Sequence, residues 1–294
     1  MVTPQTEHPE IAMEAGVPRL FFKREDLHPY GSHKGRSIPV MIDIYAAEGS
    51  RDFAITGSGN AALAAVRHIV KRNLEIQKEQ DKLSLEVILG ERVNPEKRQR
   101  IMDEAVDGQV TVTEHPRPLQ ALFAAVKGHR TKSLRQSTDD YALVGYESLA
   151  AELSHTPDLA AVFIPASSGT AAQAIAEYFI KHTVAAQVHF VQTGARHPLS
   201  ETFDALSEGG VSLADAIVDI VAHRKDALIE KVKKTGGRGW TVDNAAIERA
   251  QRLIKERAEI DASGNGALAL AGLLRARSKG AEFKGAVVCV ITGR

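Results

Sequence analysis

The sequence predicts an α/β protein built as two doubly wound lobes with mostly parallel sheets. Three observations carry that prediction. Short runs rich in β-branched and aromatic residues alternate with longer helical patterns. Several of these runs end in loops of Gly, Ser, Asn and Thr that open the next helix, where doubly wound folds keep their ligand sites. No fixed-period repeat or low-complexity tract is present.

The strand-like runs are residues 19–23, 52–56, 85–89, 109–113, 160–164, 187–192 and 285–291. Helical patterns occupy 60–72, 95–106, 146–153, 171–181 and 245–257, and another begins near Ser32. A small-residue opening from Asp261 to Ala267 precedes an apolar helix. The polar stretch 71–82 either extends a helix or forms a surface loop, and the polar stretch 128–140 reads as a crossing between the lobes. Residues 29–145 then form the smaller lobe, and residues 1–28 with 146–294 the larger.

At 294 residues, 44% hydrophobic and 25% charged, the chain can bury one large core or two smaller ones. Lys plus Arg and Asp plus Glu number 37 each, so bulk charge gives no reason to expect a nucleic acid or an acidic membrane surface as partner. The single cysteine, Cys289, lies in an apolar run, which rules out an intrachain disulfide and a Cys-x-x-Cys pair and suits a reducing cytoplasm. The first ten residues are polar and acidic, and no stretch of about 18 apolar residues occurs, so neither secretion nor membrane spanning is expected. The 11 histidines include no His-Glu-x-x-His, so a catalytic metal is not expected either.

Four places could carry chemistry. The segment Lys23-Arg24-Glu25-Asp26-Leu27-His28-Pro29-Tyr30-Gly31-Ser32-His33-Lys34 runs from a strand through a Pro/Gly turn into a helix, putting Lys34 in the first helical turn. A cation there opposes the helix dipole by about 0.3–1 kcal/mol, whereas a neutral imine beside a bound anion does not. A solvated surface lysine fits the same spacing. The segment Phe53 to Ala62 is a strand, a small-residue loop and a helix start, whose backbone N–H groups can bind an anion. Its Gly57-x-Gly59-x-x-Ala62 also meets the loose dinucleotide fingerprint, so an NAD(P) oxidoreductase competes, although the nearest following acid, Glu91, lies well past the usual offset of about 20 residues.

Ile164-Pro165-Ala166-Ser167-Ser168-Gly169-Thr170 repeats the same grammar, and its N–H and hydroxyl groups make a cup for a phosphate without the lysine of a nucleotide-hydrolysing loop. The last strand delivers the Thr292 hydroxyl and Gly293 at its carboxyl end. Each feature alone is equally an ordinary strand-to-helix turn or strand terminus.

Together, the order and wording of these motifs resemble the fold type II pyridoxal 5′-phosphate (PLP) enzymes, the tryptophan synthase β-like superfamily, over nearly the whole chain. Lys23 to Leu27 with Gly31, His33 and Lys34 is similar to the tryptophan synthase β form of the lysine motif, and Ser58-Gly59-Asn60 to the form in threonine synthases and serine/threonine dehydratases. Residues 139–152 are similar to both threonine synthase and threonine dehydratase, and Val232 to Gly237 with Trp240-Thr241-Val242 and the helix through Leu253 is more similar to threonine synthase. Tyr30, Gly35, Ala166 and Ser168 depart from the residues most relatives carry there.

The resemblance implies PLP in a cleft between the lobes, joined to Lys34 as an imine. Asn60 would bond the ring oxygen, Thr292 would approach the pyridine nitrogen, and Ser167, Ser168, Gly169 and Thr170 would hold the phosphate. Ser58, Gly59 and Ala61 would offer donors to the substrate carboxylate. Arg135 is a candidate for a substrate phosphate, or a merely solvated arginine. The implied activity is a threonine synthase-like lyase that removes the α proton of an amino acid and then eliminates or replaces a group, in a cytoplasmic homodimer. A serine/threonine dehydratase, a β-replacement enzyme and a non-catalytic PLP-binding relative remain alternatives.

Overall fold

The computed structural model describes residues 2–293 apart from Ser58, Arg92, Asn94, His129, Ala205, Ser207 and Glu208. In chain order the elements are β1 (Gln5–Glu7), α1 (Pro9–Ala15), β2 (Arg19–Arg24), α2 (Lys34–Ala47), β3 (Asp52–Thr56), α3 (Asn60–Glu75), β4 (Ser84–Gly90), α4 (Pro95–Glu104), β5 (Val110–His115) and α5 (Pro118–Ala125). They continue with β6 (Thr131–Ser133), α6 (Tyr141–Ser154), β7 (Leu159–Pro165), α7 (Thr170–Lys181), β8 (Gln187–Thr193), α8 (Lys225–Lys234), β9 (Gly239–Val242), α9 (Asn244–Ala258), α10 (Gly264–Ser278) and β10 (Ala286–Ile291). The chain divides into two units, Met1–His28 with Tyr146–Arg294, and Pro29–Gly145.

The larger unit holds a six-stranded sheet in the order β1-β2-β10-β7-β8-β9, parallel throughout except for β1 at its edge. All six residues of β10 are buried, which explains why this strand reads as a continuous apolar run instead of an alternating one. From Gly266 to Leu273 the helix α10 is apolar on every side because it is buried throughout; Leu268, Leu270 and Leu273 join Phe22, Phe163 and Trp240 in the core. Lys23, though charged, is buried in β2, where its Nζ donates to the Thr3 carbonyl at 2.8 Å and pairs with Glu152 at 2.5 Å.

The smaller unit holds a four-stranded, all-parallel sheet in the order β5-β4-β3-β6. Its core gathers Ile38, Met41, Phe53, Val66, Val87 and Leu134. The polar stretch 128–140, expected to cross between lobes, instead supplies β6, which pairs with β3 from Asp52↔Thr131 to Ala54↔Ser133. A three-residue strand is too short to show alternation, so its pairing partner alone defines it. The polar stretch 71–82 combines both readings offered for it: α3 runs on to Glu75, and a short 3₁₀ turn follows at Glu79–Asp81. The strands β1 and β9 and the short helices α1, α5 and α8 were not legible as periodic patterns; helices of that length depend on tertiary packing. Among the described residues, no helix is long and apolar enough to cross a membrane.

Candidate active site

Lys34 is the first residue of α2, half-buried, with its backbone N–H held by the Ser32 hydroxyl at 3.2 Å. Its amine donates to Gln136 Oε1 at 2.6 Å. Gln136 is itself buried and opens a 3₁₀ turn directly after β6. Sequence reading stopped one residue short, at Arg135, because the glutamine's relevance depends on an approach between residues 102 positions apart. The Arg135 guanidinium lies 6.0 Å from the centroid of the Phe123 ring, at the limit of a cation–π contact.

The helix that carries Lys34 is seated by α6. Ser37 Oγ donates to the Ala142 carbonyl at 2.8 Å, and Gly145 approaches so closely that a Cβ there would fall on the backbone of Ser37 and Arg36. On the other side, Tyr30 Oη lies 3.0 Å from His68 Nδ1, and His68 Nε2 lies 3.0 Å from Asp43 Oδ1. The Asp43 carboxylate can only accept, so Nε2–H donates to it, and in the neutral ring Nδ1 accepts the Tyr30 hydroxyl. Tyr30 thus ties the lysine turn to α2 and α3. Burial pushes the Tyr30 phenol upward, helped by the Asp43 charge, so it stays a donor at neutral pH. At the start of α3, Gly59 is the N-cap and Asn60 and Ala61 fill the first turn. Ser58, expected to contact the substrate carboxylate, lies outside the described residues.

In the larger unit the loop between β7 and α7 has the geometry of an anion cup. Gly169 caps α7 in the left-handed region at φ +80°, so another residue would be strained there, and its Cβ would press on Leu228 Cδ2, 2.7 Å away. The next three residues begin a twelve-residue helix, whose first-turn N–H groups have no carbonyl one turn earlier. Ser168 Oγ and Thr170 Oγ1 lie 2.9 Å apart. Buried Gln192, at the end of β8, braces the loop from beneath. Its Nε2 donates to the carbonyls of Ala166 and Ser167 at 3.2 and 3.4 Å, and its Oε1 accepts from the N–H groups of Leu199 and Ser200 at 2.8 and 2.9 Å. Ser167 differs from its neighbours: its hydroxyl donates to Asp219 Oδ2 at 2.8 Å. Thr292 follows β10 and is 4% exposed. The next residue is anchored by Ser263, the N-cap of α10, whose hydroxyl donates to the Gly293 carbonyl at 3.2 Å.

The residues present suit PLP: a half-buried lysine amine oriented by a neutral acceptor, and a loop whose cap is a glycine in the left-handed region that leads into a helix start. Among the described residues, no group of three or more His, Cys, Asp or Glu is arranged to hold a metal ion.

A family model described as pyridoxal-phosphate dependent enzyme matches residues 1–293. No curated protein matches the sequence. Among solved structures, a PLP-dependent aspartate racemase is 20% identical with a TM-score of 0.82, over 100% of this chain and 90% of its own. Threonine deaminase isoform 2 from Solanum lycopersicum is 16% identical with a TM-score of 0.81, over 99% and 83%. Serine racemase from Dictyostelium discoideum is 19% identical with a TM-score of 0.77, over 99% and 91%. The strand-loop-helix at Gly57, which had also admitted an NAD(P) oxidoreductase, therefore loses that reading. With its fold shared by these enzymes and its sequence matched from end to end, the chain belongs to the pyridoxal-phosphate dependent enzyme family of fold type II, and its cofactor is pyridoxal 5′-phosphate.

Proposed function

We propose that this enzyme acts on an amino acid, removing the α proton with Lys34 and then eliminating or replacing a leaving group, in the manner of a threonine synthase. The observation that carries the reading is the Lys34 amine, ordered at a helix start against the buried Gln136 oxygen. A lysine has four flexible bonds to restrain; a directed hydrogen bond at 2.6 Å orients an amine for proton transfer, whereas a solvated lysine has no such restraint.

In the smaller unit Lys34 and Asn60 would hold the cofactor's ring portion. In the larger unit Ser168, Gly169 and Thr170, with Ser167, would hold its phosphate, and the Thr292 hydroxyl would serve the ring nitrogen. Bound PLP supplies an electron sink for the charge left at Cα. Lys34 Nζ takes up the α proton and later returns it or passes it to the departing group. The N–H groups at Gly59 and Ala61, with Ser58, would orient the substrate carboxylate, and Arg135 would bind a phosphate carried by the substrate. A neutral hydroxyl at Thr292, rather than a carboxylate, leaves the ring nitrogen less protonated and favours elimination over amino-group transfer.

Ammonia release from serine or threonine is the second reading, favoured by the threonine deaminases among the similar structures. Racemisation shares the same first step, and racemases have the same fold. A panel of serine, threonine, aspartate and phosphohomoserine, assayed for keto acid, ammonia, phosphate and enantiomer, separates these outcomes. Phosphate release dependent on Arg135 supports the threonine synthase-like reading; keto acid and ammonia without phosphate move the assignment to a dehydratase. No turnover of any amino acid by PLP-loaded protein would reduce it to a PLP-binding relative. A cytoplasmic homodimer belongs to the same proposal, and light scattering of the purified chain tests the assembly.

A further inference from the structure

A serine hydroxyl has one proton to donate and two lone pairs to accept with. Ser167 uses all three on one short stretch of chain. Its Oγ donates to Asp219 Oδ2 at 2.8 Å and accepts from the N–H groups of Val218 and Asp219, both at 3.2 Å. Its hydroxyl has no capacity left for a phosphate while these contacts hold. The group that occupies it is also a carboxylate, the same sign of charge as the ligand the loop is shaped to hold.

The stretch 218–223 holds on in an unusual way. Ile217 before it and Arg224 after it are buried, and Arg224 Nη1 donates to Gln173 Oε1 in α7 at 3.4 Å. Between those anchors, Val218, Ile220 and Val221 are 61%, 72% and 62% exposed. Apolar burial at these three residues therefore contributes little to its seating, and the contacts that Val218 and Asp219 make with Ser167 are polar. Segments with few buried apolar contacts are the ones that open at low free energy.

We propose that Asp219 is a latch that antagonises cofactor loading: it stands in for the phosphate at Ser167, and PLP must displace the 218–223 strap to engage the whole loop. The inference rests on the assignment of Ser167 to Thr170 as the phosphate loop. Replacing Asp219 removes both a competitor and a like charge, so cofactor should bind more tightly and load faster.

The test uses this whole chain stripped of cofactor and titrated with PLP by calorimetry, with inorganic phosphate as a second titrant that probes the cup without the lysine. Asp219→Ala is expected to lower the Kd for PLP about tenfold and to speed loading. Asp219→Asn, which keeps an acceptor for Ser167 but no charge, is expected to give a smaller gain that shrinks at high salt. Both variants should also bind inorganic phosphate more tightly. Equal or weaker binding of PLP in both variants overturns the latch, and would make Asp219 a support of the loop. A wild-type chain that binds PLP while the cup variant Gly169→Val binds it equally well overturns the phosphate-loop assignment itself, and the latch with it.

Discussion

The loop between β7 and α7 in the larger unit and the turn before Lys34 in the smaller unit are both braced by hydrogen bonds, but in different surroundings. Beneath the β7–α7 loop, Gln192, Leu199 and Ser200 are fully buried, and the braces are neutral amide contacts. Beside the lysine turn, the chain from Tyr30 through His68 ends on Asp43, whose side chain is 46% exposed. Arg72 Nε lies 3.0 Å from the same Asp43 oxygen, near enough for an ion pair but not aligned as a hydrogen bond. The two histidines repeat the contrast. His189 is sealed in the larger unit, stacked on Phe163 at 4.5 Å, with Trp240 Nε1–H and the Arg238 N–H both donating to its Nδ1 at 3.2 Å. Buried neutral braces resist salt and fail abruptly when a partner is removed, whereas a charge at the surface is screened and yields gradually.

The comparison is broken most severely at Gln192. Gln192→Leu matches its bulk but strands two carbonyls and two N–H groups, and a loss of about 3 kcal/mol or more is expected in urea unfolding, with weaker cofactor binding. A destabilisation below about 1 kcal/mol would mean that the loop relaxes onto other partners. The smaller unit has a buried close approach at Gly145. Gly145→Ala forces α2 away from α6, and a loss of about 1–3 kcal/mol is expected, together with reduced turnover because Lys34 moves with α2. Unchanged turnover in a destabilised Gly145→Ala protein would separate the seating of α2 from the chemistry.

Burial holds the His189 imidazole down from the usual 6.5 to about 3, so it stays neutral in the folded protein. The unfolded chain binds a proton there below about 6.5 while the native one does not, and stability should therefore fall as pH drops from 6.5 towards 3. The slope is at most about 1.4 kcal/mol per pH unit. His189→Phe should flatten that slope in denaturant titrations at several pH values. The smallest effect is expected at Asp43. Burial pushes its carboxyl up, but the contacts with His68 and Arg72 outweigh that and hold it below the ordinary value. Its contribution is present at neutral pH and lost as pH falls through the acid range. Because nearly half of the side chain is exposed to solvent, Asp43→Asn should cost about 0.5 kcal/mol at low salt and close to nothing in concentrated salt.

The sequence by itself determined the alternating architecture, the small-residue loops that follow its strands, and the positions of Lys34, Asn60, Gly169 and Thr292 at helix starts and a strand end. These are local properties: strand and helix periods, glycine's tolerance of φ +80°, and the polarity of a helix start operate within a few residues. Tertiary structure alone decided that Gln136 receives the Lys34 amine across 102 positions, that Asp219 occupies Ser167 across 52, and that Tyr30 serves as a tether through His68. It also decided β1, β6 and β9, which are too short to declare a period and exist only because a neighbouring strand pairs with them. Side-chain pairing over such distances is set by how helices and sheets pack, and packing is a property of the whole chain that no local window contains.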